Sequence, residues 1–498
     1  MKKISVVFSL FLVLAVTLLA GCSGNSSANS TFPFPLSASN VNLIFVVSPD
    51  LDNHAPGDVD LKTANLTSQG LQRSLQMATF LKQQVLGGNN VTGIYALSPM
   101  THLQTANNYP DMASIGSIQQ FALLNQITLP VDPTGATYTA NSYPINAAYA
   151  SGGVPDGVAV PTSYCPNCTG LDYNNTGGNN DALLSGIISR KNSGYYVFSA
   201  PWKTINSLMT FINRQQGYNL NLPVAYSGPN LVYAVSIPSS GSASLVTYNS
   251  NLNPPATYPV LPSPVASAAC TNTSQPYFST VRTGGVDGVV VPANANTRLT
   301  VYIIRHTDAH PDPGSKFEDG NYVGAGQWRA LALSKALRGK IQPDMVYSID
   351  PAQWFNLFGT FNVSYVRPSL TILPFAIDNN LPYSLVSSFS LGANPTDPVA
   401  AQTTSNFFFT GGKLSNHTVL LAWESGHIRP IINALLTSYG GNNIPQLPTD
   451  GPPLGGWPST DYDTIWTVKL DALGNLTVDN ALCEGINSAS LPATAPLF

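Results

Sequence analysis

One order of segments occurs twice in this chain, and it limits the possible folds more than any other feature. Leu43-Ile44-Phe45-Val46-Val47 and Val301-Tyr302-Ile303-Ile304 are short apolar runs without polar alternation, so both predict strands covered on both faces. Each is followed by helical spacing that opens near a glycine. Gly70 precedes Leu71, Leu75, Ala78, Leu81 and Val85, and Gly326 precedes Ala330, Leu333, Ala336 and Leu337. A second strand then ends on Ser98-Pro99 in one half and Asp350-Pro351 in the other. Later, Tyr195-Tyr196-Val197-Phe198 leads into a helix carrying Ile205, Leu208, Met209 and Ile212. Thr418-Val419-Leu420-Leu421-Ala422 likewise leads into one carrying Ile428, Ile431, Ile432 and Leu435. Tyr233-Ala234-Val235 and Trp466-Thr467-Val468 close the two series.

Buried strands alternating with amphipathic helices predict an α/β protein with largely parallel sheets. Two tandem three-layer α/β sandwich domains are expected, over residues 41–250 and 271–498, joined by a linker at 251–270 rich in Pro, Ser and Ala. With 43% hydrophobic and only 9% charged residues among 498, disorder is excluded. The net charge is −4 and no basic run exists, which argues against a nucleic-acid partner.

The N-terminus carries its own instruction. Lys2 and Lys3 precede an uncharged stretch from Ile4 to Ala20, and Leu19-Ala20-Gly21-Cys22 follows. This resembles a bacterial lipobox. The resemblance implies a signal peptide over 1–21, a lipid on Cys22, a flexible tether over 22–40 and a place in the bacterial cell envelope outside the cytoplasm. Four cysteines remain, Cys165, Cys168, Cys270 and Cys483, in a compartment that permits disulfides. Three pairings are open. Cys165-Pro166-Asn167-Cys168 lacks a second CxxC and a nearby His, so a local loop staple is favoured over zinc or redox chemistry. Cys270 is then expected to bond Cys483.

In open α/β sheets the reactive groups follow the carboxyl ends of strands. After 301–304 come Arg305-His306-Thr307; Leu66-Thr67-Ser68-Gln69-Gly70 opens the first helix; Ser98-Pro99 precedes Gln104-Thr105-Ala106; and Arg367-Pro368-Ser369-Leu370-Thr371 follows Asp350-Pro351. In this order the chain resembles the histidine phosphatase superfamily, the phosphoglycerate-mutase-like group. The resemblance covers about residues 300–440 well and 43–212 in outline. It implies domains of histidine-phosphatase type in which His306 takes up a phosphoryl group as phosphohistidine, while Arg305 and Arg367 hold the phosphoryl oxygens. No cofactor or metal is implied.

A second histidine and an acid usually complete such a pocket. In Trp423-Glu424-Ser425-Gly426-His427 the candidates are His427 and, in another register, Ser425, with Glu424 as proton donor; Asp308 and His310 are lesser candidates. The first half lacks the constellation. It has Val47-Ser48 where Arg-His stands in the second half, Thr101 or His102 at the arginine position, and Ser199-Ala200-Pro201-Trp202 after its late strand. Residues 41–250 therefore read as a degenerate copy. Two functions are expected: a lipid-anchored extracytoplasmic phosphomonoesterase acting on small phosphorylated metabolites, or an inactive phosphatase-like binding or scaffold lipoprotein. The partners in view are a small phosphorylated substrate or phosphate, and a membrane through the N-terminal lipid.

Overall fold

Strand β1 (Val41–Val47) is buried along its whole length, because strands flank both its edges and helices cover both its faces. Its one polar residue, Asn42, is fully bonded. Nδ2 donates to the carbonyls of Ser37 and Gly194 at 2.8 and 3.0 Å, and Oδ1 accepts from Ser236 Oγ at 2.7 Å. The computed structural model describes residues 33–130, 137–140, 142–147, 170–270, 277–309, 319–352, 354–357, 361–386, 398–445, 457–458 and 460–498. Cys22, Cys165, Cys168 and His310 lie outside them, as do the signal peptide and most of the tether.

Around β1 stand β2 (Gly93–Ala96), β3 (Ile145–Asn146), β4 (Gly194–Ala200), β5 (Leu231–Ile237) and β6 (Ser244–Asn249), in the order β6-β5-β1-β4-β2-β3. The second sheet holds β7 (Ser279–Arg282), β8 (Leu299–Arg305), β9 (Met345–Ile349), β10 (Tyr383–Val386), β11 (Thr418–Trp423), β12 (Thr464–Leu470) and β13 (Leu476–Cys483). Its order is β7-β13-β12-β8-β11-β9-β10. Apart from β7 the two orders correspond strand for strand. So do the directions: β1 runs parallel to β4 and antiparallel to β5, as β8 does to β11 and β12. The molecule is thus an α/β protein with two mixed sheets of six and seven strands.

The helices are α1 (Ser68–Phe80), α2 (Ala113–Leu123), α3 (Asn179–Arg190), α4 (Trp202–Gln216), α5 (Gly324–Leu337), α6 (Arg367–Asp378), α7 (Pro398–Phe409) and α8 (Ser425–Ser438). Helix α1 starts where Thr67 caps it, its hydroxyl accepting from Gly70 N at 3.2 Å. Only glycine fits at position 70, since a Cβ there would stand 2.2 Å from the Asp58 carbonyl oxygen. The helical spacing continues to Val85, but its last turn, Leu81–Val85, is a π turn that keeps both end residues buried.

Helices α3 and α4 cover the outer face of the first sheet with Leu184, Ile187, Ile205, Leu208 and Met209. Helices α7 and α8 cover the outer face of the second with Phe408, Ile428, Ile431 and Leu435. The inner helices of both halves share one core, where Leu71, Leu75, Ile115 and Ile118 join Leu331, Leu333, Leu370 and Leu373. The approach is close: a Cβ on Gly116 of α2 would stand 2.9 Å from Leu373 Cδ2 of α6. Buried hydrogen bonds cross the same boundary, from Gln119 Nε2 to Asn321 Oδ1 at 2.8 Å and from Gln120 Nε2 to the Pro496 carbonyl at 2.6 Å. Residues 34–498 accordingly form one compact unit. The segment expected as a linker is bound along it, with the Thr257 carbonyl accepting from Gln72 and Tyr258 OH donating to the Leu331 carbonyl.

Cys270 and Cys483 form a disulfide that closes 213 positions of chain. It joins the start of the second half to the end of β13. Replacing both cysteines by serine is expected to lower stability by about 2–4 kcal/mol, because the unfolded chain regains the entropy of that loop. Denaturant titration of the full chain checks this, and an unchanged midpoint would show that the loop is constrained by other means.

Candidate functional site

Strands β8 and β11 are parallel neighbours, and their register pairs Arg305 with Trp423. His306 N continues the ladder by donating to the Trp423 carbonyl at 3.0 Å. The two residues that follow these strands, His306 and Glu424, therefore leave the sheet side by side at its carboxyl edge.

His306 is buried, and its Nδ1 lies 2.9 Å from the Thr307 carbonyl oxygen. A carbonyl can only accept, so Nδ1 carries a proton and, in the neutral imidazole, the lone pair sits on Nε2. Two tyrosines flank the ring, Tyr365 edge-on at 6.2 Å and Tyr462 tilted at 6.0 Å between centroids. Each tyrosine also faces an arginine. The Arg367 guanidinium is 5.2 Å from the centre of Tyr365 and that of Arg305 is 4.0 Å from the centre of Tyr462. Arg305 Nη1 donates to the carbonyls of Pro458 and Asp461, both at 3.1 Å, which ties the loop bearing Tyr462 to the strand end. Arg367 is the first residue of α6. That helix is keyed to the strand end by Thr371, whose hydroxyl accepts from Thr307 N at 2.9 Å and donates to the Arg367 carbonyl at 2.7 Å.

On the β11 side, Glu424 precedes α8 and forms a dyad with His427, Oε2 to Nδ1 2.6 Å. Ser425 Oγ donates to Glu424 Oε1 at 3.1 Å, so the hydroxyl is engaged by the carboxylate. Burial alone would raise the Glu424 carboxyl. The hydrogen bond and charge of His427, the Gly426 N–H and the charge of Arg305 outweigh it and hold the group down at about 2. A carboxyl held there is ionised at neutral pH. His427 Nε2 is buried and has no hydrogen-bond partner among the described residues. The imidazole of the dyad is thus His427, with Ser425 and Glu424 behind it.

Asp308 is drawn out of the pocket by Arg329, whose Nε donates to it at 2.7 Å. The same guanidinium binds Glu484 at 2.7 Å, the Ile486 carbonyl at 3.0 Å and Ser488 Oγ at 2.8 Å. Burial pushes Glu484 up to about 8, further than Arg329 brings it back. Gly326 lets α5 approach this point, since a Cβ there would be 2.8 Å from both the Asp308 carbonyl oxygen and Thr307 Oγ1. Tyr365, Tyr462 and Arg329 have no sequence motif, whereas Thr371 ends the Arg367-Pro368-Ser369-Leu370-Thr371 segment. The only signal was the placement of Arg329 on the apolar side of its helix.

At the matching edge of the first sheet, Ser48 N donates to the Ala200 carbonyl at 3.0 Å, as His306 N does to Trp423. Ser48 Oγ shares a 2.7 Å hydrogen bond with Ser114. Thr101 Oγ1 closes a turn onto the Ser98 carbonyl, and His102 pairs with Asp111 at 2.8 Å while stacking on Tyr173. Asp50 beside them is raised to about 6, chiefly by burial. That edge carries Asp50 and Asp111, whereas the second carries Arg305 and Arg367 with Glu424. Among the described residues no group of three or more His, Cys, Asp or Glu side chains is placed to hold a metal ion, and no helix is long and apolar enough to cross a membrane.

No protein-family model matches the chain, and no curated protein does. Among solved structures, the chain is similar to the protein histidine phosphatase SixA complexed with tungstate, at 18% identity over 37% of this chain and 97% of that one, with a TM-score of 0.22. It is also similar to mycobacterial glucosyl-3-phosphoglycerate phosphatase, at 14% identity over 35% and 93%, with a TM-score of 0.23. The phosphate complex of that phosphatase matches at 13% over 38% and 98%, with a TM-score of 0.22.

Two outcomes test the charges of this site. Replacing Arg329 by Met leaves Asp308 and Glu484 buried without their cation, which should cost about 3–5 kcal/mol in denaturant unfolding. The Glu424 carboxyl, held below its unfolded value, favours the folded state above about pH 4.5, a contribution lost as pH falls toward 2. In Glu424→Gln the denaturation midpoint should therefore fall less steeply than in wild type across that interval. Parallel curves would show that the dyad is not ionised.

Proposed function

We propose that the protein is a phosphomonoesterase acting through a phosphohistidine at His306, built on the second of two histidine-phosphatase-like halves. The observation that carries this reading is the Nδ1–H of His306 fixed on the Thr307 carbonyl, which gives Nε2 the lone pair at a strand end flanked by Arg305 and Arg367. A neutral imidazole in that state is a nucleophile without further activation.

The steps follow from the groups present. Nε2 attacks phosphorus, the N–P bond forms as the P–O bond to the leaving group breaks, and the leaving oxygen takes a proton from His427 Nε2–H. Glu424 stabilises the charged form of that imidazole through Nδ1. Water then attacks phosphorus, His427 takes its proton, and the N–P bond breaks to release phosphate and restore His306. Arg305 and Arg367 supply permanent positive charge for the equatorial oxygens, with no reorganisation as that charge develops. The first half, with Ser48 at the nucleophile position, is a degenerate copy without catalysis of its own. The lipobox-like segment ending in Cys22 supports a lipid anchor and a location outside the cytoplasm, and the Cys270–Cys483 disulfide suits that oxidising side. Its substrates are small phosphate monoesters.

Phosphate release from a panel of monoesters by the full chain tests the reading. His306→Ala should abolish turnover, and Arg367→Ala should lower it by about two to three powers of ten. Acid-quenched wild type labelled from substrate should carry acid-labile phosphate. Full activity in His306→Ala would refute the mechanism. Phosphate binding without any turnover in wild type would leave a binding lipoprotein in its place.

A further inference from the structure

The cation assigned to the phosphoryl group, Arg367, has a neighbour that the motifs do not provide. Asp319 is wholly buried, and the charge of Arg367 acts on it. The two are also joined through backbone, Arg367 N donating to the Gly320 carbonyl at 3.0 Å. The Asp319 carboxylate accepts from Asn321 N at 2.9 Å on one oxygen. On the other it accepts from the hydroxyl of Ser142, a wholly buried residue of the first half. A second bond from the same short segment, Ala147 N to Ser364 Oγ at 2.9 Å, fixes the residue before Tyr365, the ring on which both His306 and Arg367 rest. Gln119 of α2 holds Asn321 at 2.8 Å, which completes the attachment. Residues 119 and 142–147 thus touch the surroundings of Arg367 at three points.

We propose that Ser142 is a positioning residue for Arg367: the first half donates its hydroxyl to Asp319 so that this carboxylate, next to the Gly320 carbonyl that accepts from Arg367 N, balances the charge of the arginine. This rests on the phosphatase reading above. A hydroxyl that donates to a carboxylate favours the charged form, and here that help is needed. Burial raises Asp319 to about 6 even with Arg367, Ser142 and the Asn321 N–H pulling the other way. The sign follows. The carboxylate is charged above about pH 6, and as pH falls through that value Arg367 loses its fixed counter-charge. Removing the Ser142 hydroxyl takes a donor from the charged form only, so protonation then sets in at higher pH.

The test is kcat/KM of the full chain against pH for one phosphate monoester, in wild type, Ser142→Ala, Asp319→Asn and the double variant. The substrate's own ionisation is common to all four and cancels in their ratios. The activity of Ser142→Ala relative to wild type should approach a plateau at high pH and fall as pH decreases, its acid limb displaced upward by about one unit, the worth of one hydrogen bond to a charged group. In Asp319→Asn the limb should vanish, and adding Ser142→Ala to it should change nothing further. Should Ser142→Ala not fold, the loss of the limb in Asp319→Asn carries the test. A pH-independent ratio, or full additivity of the two substitutions, overturns the positioning role while leaving the phosphatase reading intact. Wild type that neither releases phosphate nor binds inorganic phosphate or tungstate ends both.

Discussion

The four inner helices have no solvent face of their own. Helices α1 and α2 lie on one sheet and α5 and α6 on the other, and each pair supplies the apolar surface that the other must cover. Buried side chains here reach the density of a domain core, and even backbone positions are committed, as Gly116 against Leu373 shows. The second half therefore shares the core on the inner face of its sheet with the first, while its outer-face core is its own. His306 stands at the end of its own strand, but the segments next to Arg367 are tied to residues of the first half.

A chain with so few charges cannot bury one casually. Only 9% of residues are charged, yet Arg305, Arg329, Arg367, Arg429, Asp308, Asp319 and Glu484 are all buried. An unpaired ion in a low-dielectric interior is costly, so each must be held by partners from elsewhere. Arg329 gathers Asp308, Glu484 and the carbonyl of Ile486. Arg429 donates to the carbonyls of Ile444 and Pro445, which fastens the chain after α8. The effect is conformational specificity more than net stability. Displacing any of these groups strands another, so strand ends and loops around His306 are held in one arrangement.

Much of this frame was legible from sequence, for a physical reason. Strands covered on both faces must read as apolar runs, and β1, β8 and β11 do; helices over them must show one apolar face, and Ile205 to Ile212 and Ile428 to Leu435 do. That Arg305 and His306 stand where a strand ends was readable because the apolar run before them stops there. What could not be read are contacts whose partners lie far apart in the chain. Ser142 and Asp319 are 177 positions apart and Ala147 and Ser364 are 217. Neither residue of either pair belongs to a periodic pattern. The same holds for Tyr462, and for Asp308, whose proximity to His306 suggested the pocket when its charge belongs to Arg329. The charge state of Glu424 was hidden for a different reason. Residue type could not foretell that His427, three residues on, would keep the carboxyl ionised.

The matched strand ends show what separates scaffold from chemistry. Ser48 and His306 continue equivalent ladders with the same hydrogen bond, 3.0 Å to the neighbouring strand's carbonyl. The backbone there is indifferent to which side chain it carries. Chemistry differs because the surroundings differ in sign. Ser48 bonds another hydroxyl, and near it stands Asp50, raised toward its neutral form by burial first and by Asp111 only to a lesser degree. His306 lies between tyrosines that each face a guanidinium, with its Nδ1 on the Thr307 carbonyl. A histidine placed at position 48 would thus stand near Asp50 and Asp111, where His306 stands between tyrosines that face guanidinium groups. On the phosphatase reading an imidazole alone would not restore the site, because Arg367 comes to His306 from a separate segment of the chain.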